Sequence, residues 1–194
     1  YQFDRITLIL GSLHINFSHQ QLRGTKRQIE LSKADWEKQA AEVFIMWHNR
    51  NFQSQLSFLI NNRPSKPDVS CLLDGRKVDI EIAHLYGTQQ EAMAILGKHL
   101  SEHTREELAR LQENSTAEHR LINALNRILE QKSHKRYNSQ HVWLVIRNVH
   151  PKWNTRKIRE ASDSIVLPEE HAFEQIWIVG DPQANSGACC LKRS

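Results

Sequence analysis

What the chain has little of narrows it first. Cysteine is scarce: Cys71, Cys189 and Cys190 are the three in 194 residues. They make neither a disulfide framework nor a CxxC zinc spacing, which points to a reducing, cytoplasmic compartment. No apolar run approaches the roughly 18 residues that a membrane span needs, so no membrane partner is expected. The opening YQFDRITLILGSLHINF lacks the basic start of a secretory leader and is broken by charge and glycine. Internal repeats and low-complexity tracts are missing as well. Neither charge sign dominates: 26 Lys and Arg against 22 Asp and Glu leave +4, which tolerates a nucleic-acid partner without demanding one.

What is there reads as one ordinary globular domain with a small appendage, 39% hydrophobic and 25% charged. Weak alternation around Gly11-Ser12 predicts an N-terminal hairpin, followed by a polar, basic arm carrying Arg23, Lys26 and Arg27, so that residues 1–30 form the appendage and 31–194 the domain. A helix is expected over LSKADWEKQAAEVFIMWHNR, capped by Ser32, with Trp36, Ala40, Val43, Phe44 and Trp47 on one stripe. Periodicity does not decide whether SQLSFLINN extends that helix or forms a strand. Asp74-Gly75 between DVSCLL and RKVDIEIAHLY is a strong hairpin signal. A long helix from Thr88 to about Gln112 and a second over STAEHRLINALNRILEQK follow, the latter with Leu121, Leu125, Ile128 and Leu129 facing inward. HVWLVIRNV reads as a buried strand, and FEQIWIVGD as a last strand closing at Gly180. This order predicts an α/β domain with a central mixed sheet flanked by helices.

The hairpin carries the candidate chemistry. Alternation along β structure puts Asp79, Glu81 and Ala83 on one face and Val78, Ile80 and Ile82 on the other. With Asp68 close by, like charges repel unless a cation compensates, so removing Glu81 should leave the metal-free protein as stable or more so. Pro67-Asp68 opening one strand, with an acid on the next, resembles the PD-(D/E)XK nuclease superfamily over roughly residues 31 to 148. The resemblance implies a restriction-endonuclease-like fold and Mg²⁺-dependent hydrolysis of phosphodiester bonds in DNA, with RNA as the other polynucleotide and Mn²⁺ as a substitute metal. Asp68 and Glu81 would hold the metal, Asp79 and Glu42 (Glu37 ranking second to it) would support them, and a lysine would assist. The superfamily's lysine position falls on Ala83. Lys77 shares that face but lies roughly 13 Å of strand from Glu81. Lys98 on the following helix is the relocated candidate, with His84 weaker because its parity points to the apolar face.

Three basic groups near a predicted helix end, Lys132, Lys135 and Arg136, with Arg23, Lys26 and Arg27 of the arm, are candidate phosphate contacts. Cations at a helix C-terminus also complement its dipole. Trp153, flanked by Lys152 and Asn154, is a candidate for stacking on a base. Ala83 favours an alternative, an inactive nuclease fold that binds nucleic acid or a protein partner. A rival chemistry lies in HLSEH, His99 to His103, which matches the H-x-x-E-H pattern of zinc metallopeptidases, with Glu102 as base and Glu118 as a third ligand. The oligomeric state is left open, a homodimer included.

Overall fold

The computed structural model describes residues 7–10, 13–16, 32–62, 67–88, 91 and 116–193. The chain divides into two units, Tyr1–Ser32 and Lys33–Ser194. In the first, β1 (Thr7–Leu10) and β2 (Leu13–Asn16) pair antiparallel, with Leu10 opposite Leu13.

The second unit is built on a six-stranded sheet. Its strands are β3 (Leu56–Asn61), β4 (Val69–Leu73), β5 (Arg76–Leu85), β6 (Val142–Asn148), β7 (Phe173–Val179) and β8 (Ala188–Arg193), lying in chain order across the sheet. The inner neighbours β5, β6 and β7 run parallel, while β3-β4, β4-β5 and β7-β8 are antiparallel. A mixed sheet with helices on it is the α/β class expected. The ambiguous SQLSFLINN resolves into β3, and β8 is a strand that the sequence reading did not anticipate. The β4-β5 turn puts Asp74 at φ 48° and Gly75 at φ 86°, the left-handed pair that a two-residue hairpin needs. The Asp74 carboxylate also accepts from Gln55 N–H at 2.7 Å, tying the turn to the start of β3.

Side-chain parity distributes the core between two layers. Helix α1 (Lys33–Asn51) packs Ala40, Ala41, Phe44 and Ile45 against Val78, Ile80, Ile82, Trp143, Val145 and Trp177. Helix α2 (Ala117–Ser133) packs Leu121, Ala124, Leu125, Ile128 and Leu129 against Ala83, Leu85, Leu144, Ile146, Ile176 and Ile178 on the opposite face. Thr116 caps α2 by accepting from His119 N–H, one residue beyond the predicted start. Every residue of β6 is buried, so its two polar members need partners inside. Arg147 donates to the Pro182 carbonyl and to Gln39, and Asn148 donates to the carbonyls of Trp153 and Gly180. A short helix, α3 (Thr155–Glu160), precedes β7. Thr88 and Glu91 exchange the reciprocal bonds of a capping box, which fits the helix start expected there; the rest of that segment, 89–90 and 92–115, lies outside the described residues. No helix among the described residues is long and apolar enough to cross a membrane.

Candidate active site

The β4-β5 register sets Val69 opposite Ile80, which brings Asp68, one residue before β4, alongside Glu81. One Asp68 oxygen accepts from Ile82 N–H at 2.8 Å, pinning the acid to β5. Asn62 holds the approach in place: its side chain donates to the Pro67 carbonyl at 2.9 Å, and its N–H to the Asp68 carbonyl at 2.9 Å. The Glu81 side chain is 1% exposed, and a carboxylate cannot stay charged there without cations.

The cations come from the end of α2. Lys132 Nζ bonds Glu81 Oε1 at 2.6 Å and the Ile82 carbonyl at 2.8 Å, while Lys135 Nζ reaches the same Oε1 at 3.0 Å. Lys132 lies three residues beyond Leu129 and four beyond Ile128, so it continues the buried stripe of the helix. That stripe packs on Ala83. A methyl group at 83 lets the helix lie close enough for its own lysine to reach the acid. Glu81 Oε2 is buried and takes no hydrogen bond, and neither does the buried Tyr137 hydroxyl. That hydroxyl approaches Glu81 as a hydrogen-bond donor and feels its charge, short of the geometry of a full bond.

The electrostatics follow from burial and sign. Burial, and then the charge of Glu81, push the Asp68 carboxyl above its ordinary range. Burial pushes Glu81 the same way, but Lys132 and Lys135 together outweigh it and hold that carboxyl below its ordinary range. Burial draws the Lys132 ammonium down against the pull of Glu81. Burial, followed by the charges of Glu81 and Asp68, raises the Tyr137 phenol, which therefore stays a neutral donor. On the other face of β5, His84 stands edge-on to Trp36 with both ring nitrogens buried and unbonded. Burial, with the charges of Arg147, Lys132 and Lys33, lowers it to about 4.

The remaining expected site residues fall in different places. Asp79 is on the predicted face but is occupied: Ser70 donates to it at 2.5 Å and Lys77 pairs with it at 3.2 Å. Glu42 is turned away, 46% exposed and paired with Lys38. The acid that α1 brings near is Glu37, buried, paired with Lys33 at 2.9 Å and close enough to act on Asp68. Five residues along a helix is about 140° of rotation, so the two glutamates cannot share a face. Lys132 and Lys135, expected as phosphate contacts, both pair with the enclosed Glu81 carboxylate. Arg136 is exposed beside them. Trp153 is not a base-stacking surface: it is buried, lies flat on His150 at 3.9 Å and donates to the Ala117 carbonyl. Lys98, the HLSEH segment, Arg23, Lys26 and Arg27 lie outside the described residues.

Among the described residues, no three or more His, Cys, Asp and Glu gather where they could hold a metal ion. The donors at the site are oxygens: Asp68, Glu81 with both ammonium groups on one of its two oxygens, and the Ile82 carbonyl. Such a set suits a hard cation that keeps part of its water shell, as Mg²⁺ does, rather than zinc. Compared with protein-family models, curated proteins and solved structures, the chain matches none.

Proposed function

We propose that the Lys33–Ser194 unit is a restriction-endonuclease-like domain of the PD-(D/E)XK type that cleaves phosphodiester bonds of DNA with Mg²⁺ in the cytoplasm. The observation that carries this reading is the meeting of Asp68, Glu81 and Lys132 at one point, with an ammonium brought by a helix to the acid pair whose own strand offers only Ala83. Asp68 and Glu81 would hold Mg²⁺, and Mn²⁺ in its place. When bound, the ion supplies charge neutralisation at the phosphate and a more acidic water. Lys132 presents a positive charge toward the negative charge that grows on the scissile phosphate, where a preorganised donor is worth most. Lys135 keeps Glu81 partnered if Lys132 leaves it. Arg136 supplies sequence-independent grip on the backbone.

The test is cleavage of supercoiled plasmid, linear duplex, single-stranded DNA and RNA with Mg²⁺ or Mn²⁺, by the wild type and by Asp68→Asn, Glu81→Gln and Lys132→Met. Metal-dependent cleavage lost in all three variants supports the reading. Activity indifferent to all three would sink it. One observation favours a second reading, an inactive module that binds nucleic acid: Lys132 already neutralises Glu81 and covers the Ile82 carbonyl. Tight DNA binding with no cleavage under any metal would select it.

A further inference from the structure

Lys132 is a cation seated on the oxygens that a divalent ion would use. Its ammonium touches a carboxylate oxygen at 2.6 Å and a main-chain carbonyl at 2.8 Å, with Asp68 alongside. Lys135 offers an internal comparison. It brings the same charge to the same Glu81 oxygen at 3.0 Å, but its side chain is 30% exposed against 15% for Lys132, and its ammonium bonds no main-chain carbonyl at the site. A second observation concerns the rest of the carboxylate. With two ammonium groups at hand, both sit on Oε1, while buried Oε2 makes no full hydrogen bond and the donor that approaches Glu81 besides them is the neutral Tyr137 phenol. Both cationic partners of Glu81 are therefore gathered on one oxygen, the one that Lys132 shares with the Ile82 carbonyl.

We infer that Lys132 is the resident cation of this site and competes with a divalent ion for Glu81 and the Ile82 carbonyl, so that metal loading displaces its ammonium. The identity of that ion rests on the nuclease reading. The competition itself requires only that an ion bind. Before any ion arrives, Lys132 keeps an enclosed carboxylate charged and the hairpin packed on α2. When an ion takes the shared oxygens, two cations cannot occupy them together. The ammonium must then swing out, either toward Oε2 or toward the space where a phosphate would lie. Loading the site with metal and freeing the lysine for the substrate become one event.

The experiment is a calorimetric titration with Mn²⁺ of the wild type, Lys132→Met, Lys135→Met and Lys132→Arg, free of nucleic acid. Lys132→Met is expected to bind about tenfold tighter or more, within the usual range of coupling between sites, and Lys135→Met to tighten clearly less. Lys132→Arg keeps the charge and can fork across both Glu81 oxygens, so it should bind Mn²⁺ more weakly than the wild type. Equal tightening by the two methionine variants would show that only net charge counts and would overturn the inference. So would unchanged or weaker binding in Lys132→Met. Should that variant fail to fold, wild-type affinity in Lys132→Arg overturns it equally. Mn²⁺ binding by the wild type without any cleavage defeats the nuclease reading and leaves the competition to be judged by the variants. Binding by none of the four proteins defeats both.

Discussion

Glu81→Gln, measured without metal, separates an acid that repels its neighbours from one that is held by them. On strand parity alone the substitution relieves repulsion and should be harmless. The structure reverses that expectation. Glu81 is 1% exposed and bonded to two ammonium groups, one of them on a side chain only 15% exposed. Removing one partner of a buried ion pair costs about 3–5 kcal/mol, because the survivor is left charged and enclosed. The low end applies here, since Lys132 keeps its bond to the Ile82 carbonyl and Lys135 can turn to water. A loss of about 3 kcal/mol lowers the melting temperature of a domain of this size by roughly 6–12 °C. Calorimetry or circular dichroism in EDTA at neutral pH reads it directly. Adding Lys132→Met to the same chain should recover much of the loss, with a coupling of about 2 kcal/mol in the double-mutant cycle. An unchanged or raised melting temperature in Glu81→Gln would mean that the lysines do not sustain this carboxylate, and the account of the site would fall with it.

Lys132→Ala should cut metal-dependent cleavage about a hundredfold or more, whereas Glu42→Ala and Lys98→Ala should stay near wild type. A steep loss in Lys98→Ala, with Lys132→Ala active, would return the lysine role to the following helix. Stability should fall as pH drops from about 6.5 toward about 4, because the unfolded chain takes up a proton that His84, with its ring nitrogens buried, refuses until it reaches its own lowered value. That contribution is on the order of 3 kcal/mol, and His84→Phe should flatten the slope in pH-dependent melts; an unaltered slope would assign it to other groups. Arg136→Glu should weaken DNA binding about equally for all sequences and reduce the slope of log affinity against log salt by about 1–2, while a change confined to one sequence would make Arg136 a reader of bases.

Much of the frame was legible in the sequence because it is set locally. Asp74-Gly75 fixes a turn by its own backbone preferences, and the run VWLVIRN is too apolar to lie anywhere but inside. The nearness of Asp68 to Glu81 was legible too, through the likeness of Pro67-Asp68 and the acid on the next strand to a nuclease hairpin, whereas strand parity pointed to Asp79, which Ser70 and Lys77 occupy. What escaped depended on helix phase or on long-range packing. Counting on from Leu125 and Leu129 places Lys132 on the buried stripe of α2, and a lysine there is a sign of an internal anion. Read as one of a cluster of surface cations, it gave no such sign. Choosing Glu42 over Glu37 likewise needed the rotation of α1 about its axis, which its diffuse apolar stripe sets poorly. β8 was missed because ACCLKR has neither alternation nor a turn of its own; it becomes a strand by completing the edge beside β7.

The parallel pairing of β5 with β6 also bears on the order in which the chain can become itself. Asp68 and Glu81 sit on one hairpin, closed by a two-residue turn that can form within microseconds. Lys132 is 51 residues further on and reaches Glu81 only once α2 has docked beside the parallel pair. Closing that long loop is entropically expensive and belongs late in folding. A nascent chain thus carries an exposed, mutually repelling acid pair until its second half arrives. Substitutions at the Asp74-Gly75 turn should slow refolding, and those at Lys132 should mainly hasten unfolding. The cluster of Asp68, Glu81 and Lys132 is then a late product of the folding reaction, and a polypeptide ending before α2 could keep the hairpin yet never assemble it.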